Sequence, residues 1–461
     1  MTEAPPRWRD LLTGENGRIS IVLAGGVALY AVTVYLVGAL LPAMARELNG
    51  EALYAWANTA FLTTSIAASA AAGVLTKRLG LRSTYLAAFT LFAVGAFVVL
   101  TAPTMVLVVA GRAVQGLGGG ALAALAYVSI NALLPPALWG RAAALITAMW
   151  GIGGIVGPGI GGVFGEGSTW RLAFAGLVVV AVSLGVLAAV SVRAARDTSD
   201  AAARFAFGSI AVVMAAVVSI SLAAVTSGAL RWVLLGAGGL FLIAFALVER
   251  ASRAPLLPTT TFRASGALPW IYLLVGALAG SVMIEAFLPL FGQQLGGFTP
   301  LAAGYLGAIP SVGWTSAQFL SAMVQAPATR RRLRTIGPIL VLAGLATFAL
   351  VGGDLTTSNL AAWLVALFAV GAGVGLAFPH LIVAAMTSVD DPEEAAQASA
   401  GISTVQLLCN AIFSALCGVF LAMPSGGASG AQTMAWGVFA VVGTATAVAS
   451  LNLRRIARRS R

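Results

Sequence analysis

Apolar residues in this chain come in long runs, beyond the few residues of a buried strand and without the polar stripe of an amphipathic helix. A run of about 18 residues or more is long enough to cross a bilayer core as a helix. Runs at about 19–41, 53–75, 84–100, 105–134, 142–164 and 170–192 predict six spans. A polar connector, RAARDTSDAAARF, precedes two more runs at about 207–225 and 232–248. After a linker rich in proline and arginine come six others, at about 268–291, 301–324, 336–351, 360–386, 395–422 and 434–451. The pattern predicts an all-α integral membrane protein of fourteen spans. It divides into an N-terminal six-helix bundle (1–192), an inserted helix pair with its linkers (193–267) and a C-terminal six-helix bundle with a basic tail (268–461). The first run, followed by Ala43-Met44-Ala45, imitates a secretory signal. It is too long for a signal core and more spans follow, so it reads as an uncleaved first helix.

The fifth run contains GIGGIVGPGIGG. Glycine in a water-exposed helix costs roughly 0.8–1.0 kcal/mol against alanine, and proline about 3 kcal/mol. In lipid, small residues at four-residue spacing let helix backbones touch. Gly153, Gly157 and Gly161 form one such line, with Gly154, Pro158 and Gly162 beside it. Pro158 removes a donor at mid-span and permits a bend. A plain packing face is one reading; a seam at which two bundles pivot is the other.

Composition agrees with a membrane protein: 59% of the 461 residues are hydrophobic and 9% are charged, against about one-quarter charged in soluble domains. The net charge of +11 is spread through short connectors, which fits orientation by lipid and argues against nucleic-acid binding. With both termini cytoplasmic, the basic residues outside are only Arg46, Arg171 and Arg231. Adding or removing one span inverts everything downstream, so the asymmetry supports an even count. Cys409 and Cys417 share one apolar run and give no metal-ligand spacing. The acidic run DDPEE reads as a helix start rather than a metal site: Asp390 or Asp391 caps, Pro392 takes the first turn, and Glu393 and Glu394 complement the dipole. Neither a metal nor another cofactor is expected.

Residues 73–82 read GVLTKRLGLR, with Gly73, Lys77, Arg78, Gly80 and Arg82, and resemble the loop signature of the major facilitator superfamily. Gly111-Arg112-Ala113-Val114-Gln115-Gly116 resembles its second signature, and the glycine–proline stretch that of its exporting antiporters. Arg141 and the pair Trp170-Arg171 match further elements, and the linker with Pro255-Leu256-Leu257-Pro258 and Phe262-Arg263 resembles that of the fourteen-helix drug/proton antiporters. The resemblance implies the major-facilitator fold, two six-helix bundles plus two extra helices, and export by alternating access. Two positions depart from the pattern. Lys77 stands where the loop signature usually has an aspartate that helps latch the two halves. Thr33 stands about where many fourteen-helix exporters have another.

Charges inside the bilayer are costly, about 2.5–3.5 kcal/mol on insertion scales, and are therefore functional candidates. Arg112 and Glu285 lie well within spans. An apolar cavity disfavours an ionised carboxyl, so Glu285 is expected to bind the coupling proton; a hydrogen-bonded structural glutamate is the other reading. Arg112, Gln115, Gly116, Gly119, Tyr127 and Asn131 trace a polar and small face along the fourth span, with Arg112 either responding to the proton or bridging helices. Tyr30, Thr33, Trp314, Gln318 and Trp363 are weaker candidates for a pocket lining. His380 reads as a satisfied structural histidine before a proton relay. Gly116-Leu117-Gly118-Gly119-Gly120 lies within a span, with no P-loop lysine after it, so ATP binding is excluded.

These features point to a secondary transporter, a proton-coupled exporter of hydrophobic or amphipathic small molecules. A lipid or metabolite transporter without classical proton coupling is the alternative that Lys77 and Thr33 keep open. One histidine, no HExxH and no paired acids outside the DDPEE run argue against a membrane enzyme, and a sensor lacks a soluble partner-binding domain. The expected partners are a lipophilic small molecule, protons and membrane lipids, and the protein is expected to be a monomer in the plasma membrane.

Overall fold

The computed structural model describes residues 7–459 apart from 166–168, 193–205, 253–254, 263–265, 325, 390–391 and 424–428. The first half runs through α1 (Trp8–Leu12), α2 (Gly14–Glu47), α3 (Tyr54–Leu79), α4 (Leu81–Leu100), α5 (Met105–Val128), α6 (Ile130–Leu133), α7 (Trp139–Val163) and α8 (Trp170–Ser191). Then follow α9 (Phe207–Ala224), α10 (Gly228–Ala251), α11 (Leu268–Ser281), α12 (Leu288–Gly296) and α13 (Pro300–Ala322). The chain ends with α14 (Pro327–Val351), α15 (Leu360–Met386), α16 (Pro392–Leu421) and α17 (Gly430–Arg459). Helices satisfy their backbone polar groups internally, as lipid requires. Among the described residues, 13 helical segments are long and apolar enough to cross a membrane. Helix α13 fills the place of the fourteenth; its 23 residues suffice in length but include Ser311, Thr315, Ser316, Gln318 and Ser321.

Two of the expected spans are interrupted. The fourth ends as α5 at Val128, and Ser129 separates it from α6. The ninth breaks into α11, a tight 3-10 segment Val282–Ala286, and α12. Pro289 explains the second break: it has no N–H for the Glu285 carbonyl four residues back, and its ring would collide with that oxygen.

The chain forms two compact units, Met1–Leu53 with Ala60–Phe205, and Tyr54–Thr59 with Ala206–Arg461. In the first, α2 packs on α7, α5 and α8, and α4 on α5 and α8. In the second, α15 packs on α13 and α14, α11 on α16 and α17, and the inserted pair α9–α10 joins through α9 to α16.

The glycine–proline stretch occupies the second half of α7. A β-carbon at Gly153 would lie 2.7 Å from Ala31 Cβ, at Gly157 2.7 Å from Tyr35 Cβ, and at Gly161 2.6 Å from Ala39 Cβ. The partners recur every four residues, so the backbones of α2 and α7 meet along matched stripes. Beside this line, the nearest atom to a β-carbon at Gly154 would be in the Tyr35 ring, at 3.9 Å; Pro158 and Gly162 are buried as well. The close approach is thus made between α2 and α7, inside the first unit.

The glycines of α5 are packing residues too. Thr64, Ser65 and Ser69 on α3 donate to the Ala113, Gly116 and Gly120 carbonyls at 2.7, 3.1 and 2.7 Å. The second unit repeats the device in α15, whose Gly371 and Gly375 meet the α13 backbone while Gly373 meets that of α14 at Gly337.

Candidate functional site

In the first unit, Arg112 is entirely buried and donates to Gln115 Oε1 at 2.7 Å. Its guanidinium carbon lies 3.9 Å from the centre of the Phe61 ring, a favourable placement for a desolvated cation. Tyr30 stacks on the same ring with centroids 5.2 Å apart and meets Trp150 edge-on at 5.6 Å. Helices α2, α3, α5 and α7 therefore converge on one polar-aromatic cluster. Gln115 Nε2 and the hydroxyl of Thr33, one turn beyond Tyr30, are buried with no hydrogen-bond partner among the described residues. Phe61 and Trp150 were missed in the sequence because nothing in an apolar run separates a ring under a guanidinium from one facing lipid. Tyr127 is exposed. Asn131 falls on α6, and its side chain lies outside the described residues.

In the second unit, Glu285 is half-buried on the 3-10 segment, and Ser311 Oγ donates to its Oε2 at 2.8 Å. Trp314 Nε1 donates to Gln318 Oε1 at 2.7 Å, and the Trp314 ring leans on Phe378 with centroids 5.4 Å apart. Further along, the Ser321 hydroxyl donates to the Leu376 carbonyl at 2.7 Å and meets His380 Nε2 at 2.9 Å. With the serine proton engaged, His380 Nε2 carries the hydrogen and donates, the satisfied structural role. Residues 311, 314, 318 and 321 recur at helical spacing, so α13 carries one polar stripe. The spacing was legible in the sequence, yet only Trp314 and Gln318 were selected; Ser311 and Phe378 were not.

The other candidates lie elsewhere. Trp363 is buried at the α14–α15 turn, where its Nε1 donates to the Val351 and Asp354 carbonyls at 3.1 Å each, so it anchors a turn rather than lining a pocket. Gly80 joins α3 to α4 with φ +84°, a left-handed conformation that favours glycine. Around it Gly73, Lys77, Arg78 and Arg82 are exposed. Arg141 lies 6.0 Å from the Trp8 ring. Helix α16 begins at Pro392; Asp390, Asp391 and the side chains of Glu393 and Glu394 lie outside the described residues, as does the capping expectation. The pair Trp170-Arg171 closes the other end of the first unit: both side chains bond to Glu47, Trp170 at 2.7 Å, and Arg171 also reaches the Ala102 carbonyl at 3.1 Å. Among the described residues, no group of histidine, cysteine and acidic side chains is arranged to hold a metal.

Comparison with known proteins places this architecture. Two strains of Mycobacterium tuberculosis each have a "probable multidrug-efflux transporter" 37% identical to this chain, over 96% of it and 95% of theirs. "Multidrug resistance protein 3" of Bacillus subtilis is 24% identical, over 83% of this chain and 75% of its own. Among solved structures, a nucleoside transporter is 13% identical and superposes with a TM-score of 0.69, covering 95% of this chain and 100% of that one. A D-xylose-proton symporter is 15% identical with a TM-score of 0.66, covering 95% and 97%; at such identities the likeness is one of fold. The family model described as "Major Facilitator Superfamily" matches residues 23–414, and with that match the chain belongs to the major facilitator superfamily.

Proposed function

We propose that this protein exports hydrophobic or amphipathic small molecules from the cell by alternating access, driven by protons entering in exchange. The observation that carries this reading is the 37% identity to the mycobacterial multidrug-efflux transporters over nearly the full length of both chains. Glu285 is the coupling carboxyl: it is half-buried in an apolar unit and hydrogen-bonded to Ser311. Each unit has polar and aromatic groups suited to a lipophilic substrate: the Arg112–Gln115–Tyr30 cluster in the first and the α13 stripe in the second. The protein works as a monomer in the plasma membrane with both termini in the cytoplasm, and no bond-making step is part of its activity.

The test is purified protein in sealed liposomes, with an imposed pH gradient and a panel of lipophilic dyes and lipids. A dye is expected to accumulate against its gradient only while the proton gradient lasts. Glu285→Gln is expected to abolish that accumulation and to retain downhill exchange; a Glu285→Gln protein that still accumulates dye overturns the coupling role. Lys77 at the loop signature and the buried Thr33 in α2 favour a second reading, a lipid or metabolite transporter without proton coupling. Flux indifferent to the pH gradient is its signature.

A further inference from the structure

Glu285 does not sit on a regular helix. The segment Val282–Ala286 that carries it packs against α11, α12, α13 and α16. Helix α13 comes close through Gly307, where a β-carbon would lie 3.2 Å from the Glu285 carbonyl oxygen and 3.1 Å from Pro289 Cγ. One turn further on the same face, the Ser311 hydroxyl donates to Glu285 Oε2 at 2.8 Å. The missing side chain of Gly307 brings the two backbones together, and Ser311 supplies a donor beside that approach.

The surroundings hold little else that titrates. Helices α11, α12 and α13 contain no aspartate, glutamate, lysine, arginine or histidine. The acids of α16, Glu393 and Glu394, stand in its first turn, far along the chain from its two free thiols, Cys409 and the buried Cys417. Tyr272 lies on α11 and Tyr305 on α13, and Tyr54 donates to the Ala286 carbonyl at 3.2 Å. Phenols and thiols are uncharged near neutral pH when unperturbed.

Resting on the reading of Glu285 as the coupling carboxyl, we propose that Ser311 is its positioning residue: the hydroxyl fixes Oε2 and sets the pH at which the carboxyl takes up and gives back its proton. With the carboxylate charged, Ser311 donates to it. When a proton arrives on Oε2, the hydroxyl turns. Oε2–H then donates to Ser311 Oγ, and the serine proton goes to the Gly307 carbonyl one turn back, a bond that helical serine commonly makes. The proton remains on the carboxyl throughout. A donor aimed at the charged form favours that form, so its loss makes the proton harder to release.

Infrared spectra of the full chain in liposomes, recorded across a pH series without substrate, test this directly. The protonated-carboxyl band absent from Glu285→Gln belongs to Glu285. Its midpoint is expected to move up by about one pH unit in Ser311→Ala, the margin by which a hydrogen bond to the charged carboxylate outweighs the one made by its neutral form. Ser311→Thr keeps the hydroxyl and is expected to titrate as the wild type, whereas Ser311→Cys, a weaker donor, falls between and serves should the alanine variant not fold. A band that titrates in the wild type with the same midpoint in the alanine and cysteine variants overturns the role of Ser311 and leaves that of Glu285 standing. If no band sensitive to Glu285→Gln titrates in the wild type, both roles fall.

Discussion

At Arg112 the membrane interior sets a demanding condition: a cation with no exposed surface has to find its compensation within a few ångströms. The Gln115 amide oxygen at 2.7 Å and the Phe61 ring at 3.9 Å supply part of it. Gln115 is one helical turn from Arg112, so the two side chains lie over each other on α5. Removing the amide takes an acceptor from a buried charged donor, a loss of about 1.5–3 kcal/mol. Gln115→Ala is therefore expected to unfold at a lower temperature than the wild type when melted in detergent. The same variant is expected to lose dye transport, since one of the groups that hold Arg112 over the Phe61 ring, on which Tyr30 also stacks, is then gone. An unchanged melting midpoint would show that Gln115 contributes nothing to holding the cation.

The helices make their decisions through small residues, and the glycine–proline stretch separates the two kinds. At Gly157 a β-carbon would meet Tyr35 Cβ at 2.7 Å and backbone atoms of Val32 and Leu36 at 2.9 Å, while at Gly151 it would meet nothing within 4 Å. Gly157→Ala has to push α2 and α7 apart, so it is expected to lower yield and melting temperature and to slow transport. Gly151→Ala is expected to be neutral or to stabilise by up to about 1 kcal/mol, the helix preference for alanine. Parallel purification and thermal melts of both variants check this; equal behaviour would remove the seam. The sequence carried the stripe of Gly153, Gly157 and Gly161 because spacing is a one-dimensional signal, but not its partner. Ala31, Tyr35 and Ala39 are ordinary residues of an apolar run until α7 is laid against them. The break at Glu285 was half legible in the same way: Pro289 was visible, but its clash is with a carbonyl, which no side-chain pattern records. The α13 stripe was periodic enough to read, yet Ser311 gains meaning only from the carboxylate that a separate element brings to it.

For the whole chain, the 13 helices that are long and apolar enough to cross among the described residues were legible because a spanning helix must be long and apolar wherever it packs. The way α9 and α10 join the second unit through α16 was not, because lipid and a neighbouring helix are equally good solvents for an apolar surface. Orientation is the remaining property of the whole molecule, and charge argues it. Arg330, Arg331, Arg332 and Arg334 crowd the start of α14, whereas the α14–α15 connector has Asp354 and the exposed Thr356, Thr357 and Ser358 without any basic residue. Basic connectors stay on the cytoplasmic side, so these two ends of α14 are expected on opposite sides of the membrane, the arginines inside. Single cysteines at the two places test it, with Cys409 and Cys417 replaced by alanine to remove the native thiols of α16. In intact cells a membrane-impermeant maleimide is expected to label Ser358→Cys at once and Arg332→Cys only after permeabilisation. The reverse order would mean either that the N-terminus lies outside or that an odd number of the helices before α14 fails to cross, and in both cases the placement of both termini in the cytoplasm would go with it.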